Sequence, residues 1–448
     1  MAGLGACDIA LTENSLRTPV INTSTISNRR RLLAGSVGNV LEWYDFAVYG
    51  FLAPLMGPLF FPDEDPLAAL INTYGIFAAG YIVRPVGGVI FGYIGDRMGR
   101  KRALQLSIAM MAIPTVLVGL LPVHAQVGTL AAVLLVVLRL VQGVSVGGEL
   151  VGSMSYLVET APASKRGLAG SWSVTGGVGG ILLGSLVVTI FSGIFGQEAM
   201  ASWGWRVPFL AGGLIFFIGR WLRQSLEEST EFTASQDEND NAPSPLATVL
   251  REMPARVLHL STGILLYATA FYMLFVWLPA YLMHIVVPAV PHAMVVNSIS
   301  MVLLLLTIPY GGHLSDRFGR KPVMLSAIAM LGLTIYPLFL VLDHGVLWQA
   351  ACCQLYLAVL VGLIQGPVPA FMVECFPVRN RYTAIGLSYN ITLALFGGTA
   401  PMVSTWLIRT TGDIASPALY LAALAAVSFC ALSVLKTLTE PGTASAVS

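Results

Sequence analysis

The sequence predicts an all-α, polytopic membrane protein with twelve transmembrane helices in two pseudo-symmetric six-helix bundles. Three observations lead to this prediction: the composition, the recurrence of apolar stretches, and an internal repeat. Of the 448 residues, 56% are hydrophobic and 10% are charged, whereas a soluble domain carries about 25% charged residues. Stretches of about 18 or more apolar residues, the length that a helix needs to cross a bilayer, recur along the chain.

Twelve apolar stretches mark the predicted spans. The N-terminal bundle, residues 32–222, contains stretches near 32–57, 67–94, 103–121, 127–157, 168–194 and 206–222. The C-terminal bundle, residues 254–437, contains stretches near 254–285, 291–313, 322–342, 347–373, 382–408 and 416–437. Each is long enough to span as one helix, because a helix rises about 1.5 Å per residue and the hydrocarbon core is about 30 Å thick.

Polar segments separate and flank the two bundles. Residues 223–253 are acidic and rich in Ser, Asn and Pro, so we expect a solvated cytoplasmic linker there. The N-terminal tail, residues 1–31, has no apolar core followed by a cleavage site, so we do not expect a signal peptide. A short polar tail, residues 438–448, follows the last span.

The basic residues predict the orientation of the chain. If the N-terminal tail is cytoplasmic, that side holds all but four of the 24 lysines and arginines. The exceptions are Arg206 and Arg409 on the opposite side, and Arg84 and Arg139 within spans. Because cytoplasmic loops carry the excess of basic residues, we expect both tails and the linker to face the cytoplasm.

The two bundles repeat each other in sequence. GDRMGRK (Gly95–Lys101) follows the second span, and SDRFGRK (Ser315–Lys321) follows the eighth. YLVETAPASKRG (156–167) at the end of the fourth span similarly matches FMVECFPVRNR (371–381) at the end of the tenth. Because each half has six spans, the halves run in the same direction, as in transporters whose parallel repeats enclose a central site.

These motifs resemble a known family. The pair GDRMGRK and SDRFGRK is similar to the signature of the major facilitator superfamily. GNVLEWYDF (38–46), AAGYIVRPVGGVIFGYIGDRMGRK (78–101) and LVQGVSVGGEL (140–150) together resemble its metabolite:proton symporter branch. That branch includes proton-coupled carriers for proline and betaine, citrate, 2-oxoglutarate and shikimate. The resemblance implies a multi-pass transporter of a bacterial inner membrane, which we expect to act as a monomer.

Five ionisable residues lie inside predicted spans: Glu42, Asp45, Arg84, Arg139 and Glu149. A charged residue at a helix centre costs about 2.5–3.5 kcal/mol on translocon scales. Helix rise places Glu42 and Arg84 about 15 Å, and Arg139 about 18 Å, from an end of their spans. Glu42 and Asp45 share one helix face. We therefore expect these acids and arginines to meet around a watery hollow at mid-depth.

The intramembrane charges suggest roles in transport. Arg139 and Arg84 are candidates to bind an anionic substrate group, and Asp45 or Glu42 to bind the proton. An anion at the arginine would weaken the hold of that arginine on the carboxylate, which couples the two binding events. An ion-pair cluster that only keeps the helices in register is the alternative. Glu149, about 15 Å from Arg139, suits a proton exit route or a packing cap equally well.

The second half contributes polar candidates without mid-span charges. Tyr389 and Asn390 sit together in the eleventh span and can hydrogen-bond a substrate, as can Tyr267 and Gln365. Tyr272 and Asn297 belong to the same group. For the tyrosines, packing between helices is the alternative.

The repeated cytoplasmic motifs place acids and bases at helix ends. Asp96 can accept hydrogen bonds from backbone amides at a helix N-terminus and can pair with an arginine. We expect such pairs to close the cytoplasmic side and to break when the site opens inward; solvated basic loops without a gating role are the alternative. The predicted gate comprises Asp96, Arg97, Arg100, Lys101, Glu159, Arg166, Asp316, Arg317, Arg320, Glu374 and Arg379.

The sequence thus favours a proton-coupled symporter that imports a small polar metabolite by alternating access. Two intramembrane arginines suggest an organic carboxylate, whereas the family resemblance also allows a zwitterion of the proline or betaine type. An exporter of this fold and a nutrient sensor without transport are further alternatives. The expected partners are the substrate, the proton and the lipid bilayer.

Other functions lack sequence support. No Walker loop, catalytic triad, metal-ligand spacing or basic nucleic-acid-binding patch is present in the sequence. We therefore expect no enzyme activity, no metal, no cofactor beyond the proton gradient and no nucleic-acid partner.

Overall fold

The computed structural model describes residues 23–62, 65–88, 90, 100–146, 149–159, 161–224, 245–377 and 381–435. Within these ranges the chain forms twelve long helical spans, named α1 to α12. The N-terminal six are α1 Thr23–Phe60, α2 Pro66–Gly88, α3 Arg100–Leu120, α4 Leu130–Glu159, α5 Ala163–Gly204 and α6 Arg206–Gln224. The C-terminal six are α7 Pro254–His284, α8 Ala293–Phe318, α9 Arg320–Leu342, α10 Leu347–Glu374, α11 Thr383–Thr411 and α12 Ser416–Val434.

These spans match the twelve predicted ones. Nine of them, α2, α4, α5 and α7 to α12, are long and apolar enough within the described residues to cross a membrane. Large apolar side chains are exposed on the outside of both bundles, among them Ile194, Leu214 and Leu333. Exposed apolar surface of this kind is typical of helices that face lipid.

The described end of the predicted linker is helical. Pro245–Glu252 forms a short helix that packs against the start of α11, and Val249 on its inner face is completely buried. The sequence PLATVLRE spaces its apolar residues for such a one-sided helix. This described end of the linker therefore packs against the C-terminal bundle just before the first residue of α7.

Two spans are broken at prolines. α2 turns at Val83, two residues before Pro85, and α10 is divided into Leu347–Gln365 and Val368–Glu374 at Pro367. Proline has no N–H, and its ring clashes with the carbonyl four residues earlier, so it interrupts helical hydrogen bonding. The breaks fall beside Arg84 and Gln365, two of the predicted site residues.

α7 and α11 are each interrupted by a π-helical segment. In α7 the segment is Tyr272–Trp277, and in α11 it is Leu393–Gly397. The α11 segment packs against residues Leu265–Phe271 of α7, so the two irregular regions are neighbours. Single π-helical turns re-aim side chains and occur often at functional sites.

Glycines allow the spans that carry the charges to approach closely. A side chain at Gly143 of α4 would collide with the backbone carbonyl of Gly80 on α2. On α5, a side chain at Gly180 would meet the backbone of Val40 on α1, and one at Gly177 would touch Trp43. Backbone contact of this kind is how small residues join membrane helices.

The two bundles meet along several pairs of spans. α5 packs against α8, α2 against α11, α4 against α10, and α1 against α7. A hydrogen bond of 2.9 Å between Ser185 and Ser298 ties α5 to α8. The space enclosed between these pairs contains the candidate site.

The α2–α4 crossing yields a stability test. Gly143→Ala should lower the thermal stability of the detergent-purified protein, because overpacking a close contact costs about 1–3 kcal/mol. Gly179→Ala is the matched control, since an added side-chain atom at Gly179 meets nothing within 4 Å. Equal melting temperatures for the two variants would contradict the close crossing.

Candidate functional site

A buried salt bridge joins α1 to α2. Arg84 Nη2 donates to Glu42 Oε1 at 3.0 Å, and both side chains are almost completely buried. The guanidinium carbon of Arg84 lies 5.2 Å from the centroid of the Tyr81 ring and 5.8 Å from that of Trp43. Both the acid and the base are thus neutralised, and the guanidinium is further stabilised by aromatic faces.

A second buried salt bridge joins α1 to α4 and belongs to a closed ring. Arg139 Nη1 donates to Asp45 Oδ2 at 2.8 Å and to Gln142 Oε1 at 2.7 Å. Thr115 Oγ1 donates to Asp45 Oδ1 at 2.7 Å and accepts from Gln142 Nε2 at 2.9 Å. The Tyr49 ring covers the guanidinium, with its centroid 3.9 Å from Arg139 Cζ. The predicted meeting of acids and arginines is confirmed.

Sequence reasoning missed two members of this ring. Gln142 lies three residues after Arg139 on the same helix face, a spacing that the sequence does show. Thr115 lies on α3, and no sequence pattern links it to Asp45, 70 residues away. Its position follows from the packing of α3 against α1, α4 and α6.

Several buried polar atoms of the charged pairs and of the cavity wall have no hydrogen-bond partner among the described residues. Among them are Nε of Arg84, Nε and Nη2 of Arg139, Nε1 of Trp43 and Oε1 of Gln365. A buried donor or acceptor without a partner costs free energy that a bound ligand can recover. These atoms are therefore candidate contacts for a substrate.

A small cavity of about 30 Å³ lies between the two bundles, and its wall residue Trp43 also lies against Arg84. It is lined by residues of α1, α4, α5, α7, α10 and α11. Its aromatic and polar wall consists of Trp43, Tyr267, Phe271, Tyr272, Gln365 and Tyr389. The rings of Trp43 and Tyr272 stack across the bundle interface with centroids 6.1 Å apart.

The cavity is not the watery hollow that we expected around the charges. The four charged side chains do not line the cavity, whose wall is mainly aromatic and aliphatic. Each acid is paired with an arginine, so the pairs need no further counter-charge from the cavity. Trp43, a residue of the cavity wall, is in contact with Arg84 of the Glu42–Arg84 pair.

The predicted polar residues of the second half divide into two groups. Tyr267, Gln365 and Tyr389 line the cavity, whereas Asn390 is buried beside it without lining it. Asn297 instead donates to the carbonyl of Phe275 at 3.0 Å and supports the π-helical segment of α7. Its carbonyl accepts from Gln354 at 2.6 Å, which explains its burial without a substrate role.

Glu149 begins the second helical segment of α4, Glu149–Glu159. Its side chain lies outside the described part of the structure, as do residues 147–148. Both of its predicted roles, proton exit and packing cap, remain predictions.

The second-half copy of the cytoplasmic motif joins the two bundles. Asp316 of α8 accepts hydrogen bonds from the backbone amides of Gly167 at 2.8 Å and Leu168 at 2.9 Å, at the start of α5. Arg320 pairs with Asp316 and, at 3.2 Å, with Glu374. A carboxylate at a helix N-terminus is favoured by the amides and by the helix dipole.

Glu159 forms a further link between the bundles, with a partner that the sequence did not predict. Arg381 Nη1 donates to Glu159 Oε1 at 2.6 Å. Arg166 has no hydrogen-bond partner for its Nε among the described residues. Arg317 is exposed and forms no salt bridge with another described residue, because it follows Asp316 on the helix and points away from α5.

The first-half copy of the motif is largely outside the description. Asp96, Arg97 and Arg379 are not among the described residues. Arg100 and Lys101 begin α3, but their side chains are not described. Their gating roles remain predictions.

A salt bridge also joins the bundles on the opposite side. Arg409 at the end of α11 donates to Asp65 at 2.6 Å. Asp65 at the same time caps α2 by accepting from the amides of Leu67 and Ala68. The bundles are thus in contact on both sides of the cavity.

Comparison with known proteins identifies the class of chain. A family model described as "Sugar (and other) transporter" matches residues 32–262, and one described as "Major Facilitator Superfamily" matches residues 288–447. The "Proline/betaine transporter" of Salmonella typhimurium strain LT2 is 34% identical over 424 residues, which cover 92% of this chain and 84% of that one. The "Ectoine/proline transporter ProP" of Corynebacterium glutamicum is 36% identical over 416 residues, covering 88% and 81%.

A solved structure shares the fold. The proton:xylose symporter XylE, bound to 6-bromo-6-deoxy-D-glucose, superposes with a TM-score of 0.70 at 20% sequence identity. The match covers 93% of this chain and 97% of that one. At this identity the likeness establishes the architecture of twelve helices in two halves. The relatives and the fold are those of multi-pass membrane transporters rather than enzymes.

The ring around Asp45 yields a second test. Thr115→Val should lower thermal stability by about 1–3 kcal/mol, because it keeps the shape of the side chain but leaves Asp45 and Gln142 each short of a buried partner. Thr115→Ser keeps the hydroxyl and is the matched control. If both variants melt at the same temperature in detergent, the hydroxyl does not support the ring.

Proposed function

The chain belongs to the major facilitator superfamily, and from that premise we propose that it is a proton-coupled symporter that imports a small zwitterion of the proline or betaine type. This proposal replaces the organic carboxylate that two intramembrane arginines suggested. The relatives that match most of the chain carry the names of proline, betaine and ectoine transporters.

One observation in the site carries the choice of a zwitterion. Each buried arginine is already paired with a buried acid, Arg84 with Glu42 and Arg139 with Asp45. The site therefore has no net positive charge to offer a carboxylate. A substrate with no net charge can enter without leaving a buried charge uncompensated, which would cost several kcal/mol.

The aromatic wall suits the cationic end of such a substrate. Trp43, Tyr272 and Tyr389 face the cavity, and quaternary or secondary ammonium groups are attracted to the faces of such rings. Nε of Arg84 and Nε1 of Trp43, which have no hydrogen-bond partner in the described part of the chain, provide donors for the carboxylate end. Oε1 of Gln365, which likewise has no partner there, can accept from an ammonium that carries hydrogen, as in proline.

We assign the coupling proton to Asp45. Its ring with Thr115, Gln142 and Arg139 is enclosed, away from the cavity wall. When Asp45 is protonated, Arg139 keeps Gln142 and the Tyr49 ring as partners. The ring thus tolerates both states of Asp45, whereas Glu42 pairs with Arg84, which lies against the cavity residue Trp43.

Alternating access would use the contacts between the bundles. The Glu159–Arg381 pair and the Asp316 contacts with α5 lie on one side, and the Asp65–Arg409 pair lies on the other. Opening one side requires its contacts to break while the other side stays closed. We place the Asp316 side, both tails and the linker in the cytoplasm of a bacterial inner membrane, and the working unit as a monomer.

Uptake into liposomes tests this function. Purified protein should accumulate radiolabelled proline or glycine betaine when an inward proton gradient is imposed, because proton entry drives the substrate inward. Unlabelled betaine, proline and ectoine should compete, and citrate, 2-oxoglutarate and shikimate should not. Lack of stimulation by the gradient would refute proton coupling, and competition by the carboxylates alone would restore the first expectation.

The same assay isolates the role of Asp45. Asp45→Asn should abolish accumulation driven by the gradient but retain exchange of labelled for unlabelled substrate, since exchange needs no net proton transfer. Asp343→Asn, which removes an exposed acid at the end of α9, is the matched control. Rates are compared per amount of folded protein.

The contact between Asp316 and α5 yields a gating test. Asp316→Asn leaves one oxygen to accept where the carboxylate offers two, so one amide at the start of α5 loses its partner. We expect transport to fall several-fold while the amount of folded protein in the membrane stays the same. Arg317→Gln, at the exposed neighbour, should transport normally. Full activity of Asp316→Asn would refute the gating role.

A further inference from the structure

We infer that Gln365 ranks substrates by the hydrogens on their cationic nitrogen: it contributes to the binding of a secondary ammonium such as proline, and not to that of the fully methylated counterpart. The inference rests on the proposed function and adds to it a specificity-determining residue of the cavity wall. It depends on one buried acceptor atom, on the chemistry of its neighbours in the wall, and on the packing that fixes its position.

Gln365 brings an acceptor without a partner to the cavity wall. The residue is buried and lines the cavity, and its Oε1 has no hydrogen-bond partner in the described part of the chain. A buried carbonyl oxygen of this kind costs free energy until a donor reaches it. A substrate that carries an N–H group supplies this donor, whereas a quaternary ammonium has none to supply.

The other wall atoms without a described partner have different chemistry. Nε1 of Trp43 is only a donor, so it suits the carboxylate end of a zwitterion. The hydroxyl of Tyr272 can donate as well as accept, and its ring belongs to an aromatic cluster, with its centroid 5.3 Å from that of Tyr81. Oε1 of Gln365 can only accept. It is therefore the wall atom that is suited to the ammonium end alone.

Glycines of α10 fix the position of Gln365 within the C-terminal bundle. A side chain at Gly362 would collide with Thr307 of α8, and one at Gly366 would collide with the backbone carbonyl of Ile308, also on α8. This close contact between α8 and α10 sets the rotation of α10 about its own axis. Gln365, next to Gly366, is thereby kept at the cavity wall.

The cavity has to widen before it admits a substrate. Its volume of about 30 Å³ has room for about two water-sized groups, and contacts between the bundles close both sides of it. The bundles therefore move apart when a substrate enters, as alternating access also requires. Because α8 and α10 belong to the same bundle, Gln365 moves with that bundle and stays at the widened wall.

A series of three ligands isolates the hydrogen bond. Proline, N-methylproline and N,N-dimethylproline share the ring, the carboxylate and the cationic nitrogen, and they carry two, one and no N–H groups. Methylation also adds volume and removes hydration of the nitrogen, but these effects are common to wild type and to a variant at Gln365. The ratio of two affinities, compared between variants, therefore reports the hydrogen bond.

Dissociation constants of the three ligands are measured by isothermal titration calorimetry on the purified full-length protein at neutral pH. Gln365→Met keeps the length of the side chain and replaces the amide with a thioether, a weak acceptor at most. Gln365→Glu keeps an acceptor and adds charge. Tyr272→Phe tests the other hydroxyl of the wall. Ser404→Ala is the matched control, because it removes a buried hydroxyl without a described partner that does not line the cavity.

The expected result is a change of ratio at one position. Gln365→Met should lower the affinity for proline relative to N,N-dimethylproline about tenfold compared with wild type, because a hydrogen bond from a charged donor is lost. N-methylproline should follow proline, since one N–H group is enough to reach the acceptor. Gln365→Glu should raise the same ratio, because a carboxylate accepts from a charged donor more strongly than an amide does. Tyr272→Phe and Ser404→Ala should keep the wild-type ratio.

Each contrary result has a distinct meaning. If Gln365→Met lowers the affinities for all three ligands alike, Gln365 supports the wall without ranking substrates, and the inference is overturned. If Gln365→Met does not elute as a single species on size exclusion, Gln365→Glu decides, and a ratio no higher than that of wild type overturns the inference. If Tyr272→Phe lowers the ratio and Gln365→Met does not, the acceptor is wrongly assigned. If wild type binds none of the three ligands, the proposed function fails, and the ranking by Gln365 fails with it.

Discussion

The structure depends on the neutralisation of two acids that α1 carries into the core of the protein. An isolated charge at the centre of a membrane helix costs several kcal/mol, so Glu42 and Asp45 require Arg84 and Arg139 within hydrogen-bonding distance. That requirement fixes α2 and α4 against α1. The glycines at these crossings and the turn of α2 before Pro85 are what permit the approach.

The two bundles contribute different chemistry to the same cavity. The N-terminal bundle supplies both ion pairs, and the C-terminal bundle supplies Tyr267, Tyr272, Gln365 and Tyr389 from broken or π-helical spans. Irregular helices expose side chains that a regular helix would direct at its neighbours. The two bundles therefore share a repeated arrangement of spans, and the site is built from the residues in which the two bundles differ.

The sequence predicted the twelve spans well because the length of an apolar stretch is a local signal. It also predicted which charges would meet, since helix rise puts Glu42, Asp45, Arg84 and Arg139 at similar depth. It did not predict that the charges would neutralise each other away from the cavity. That outcome depends on side-chain packing across spans, as does the role of Thr115, and neither has a period or motif in the sequence.

The arrangement also explains how a substrate can drive the transport cycle. A ligand shifts a conformational equilibrium only as far as its contacts differ between the states. The cavity wall combines Trp43 of α1 with Tyr272 of α7, so the zwitterion that we propose as substrate would contact both bundles only while they are close together. Its binding energy would then favour the closed arrangement, from which either set of the proposed gating contacts can break.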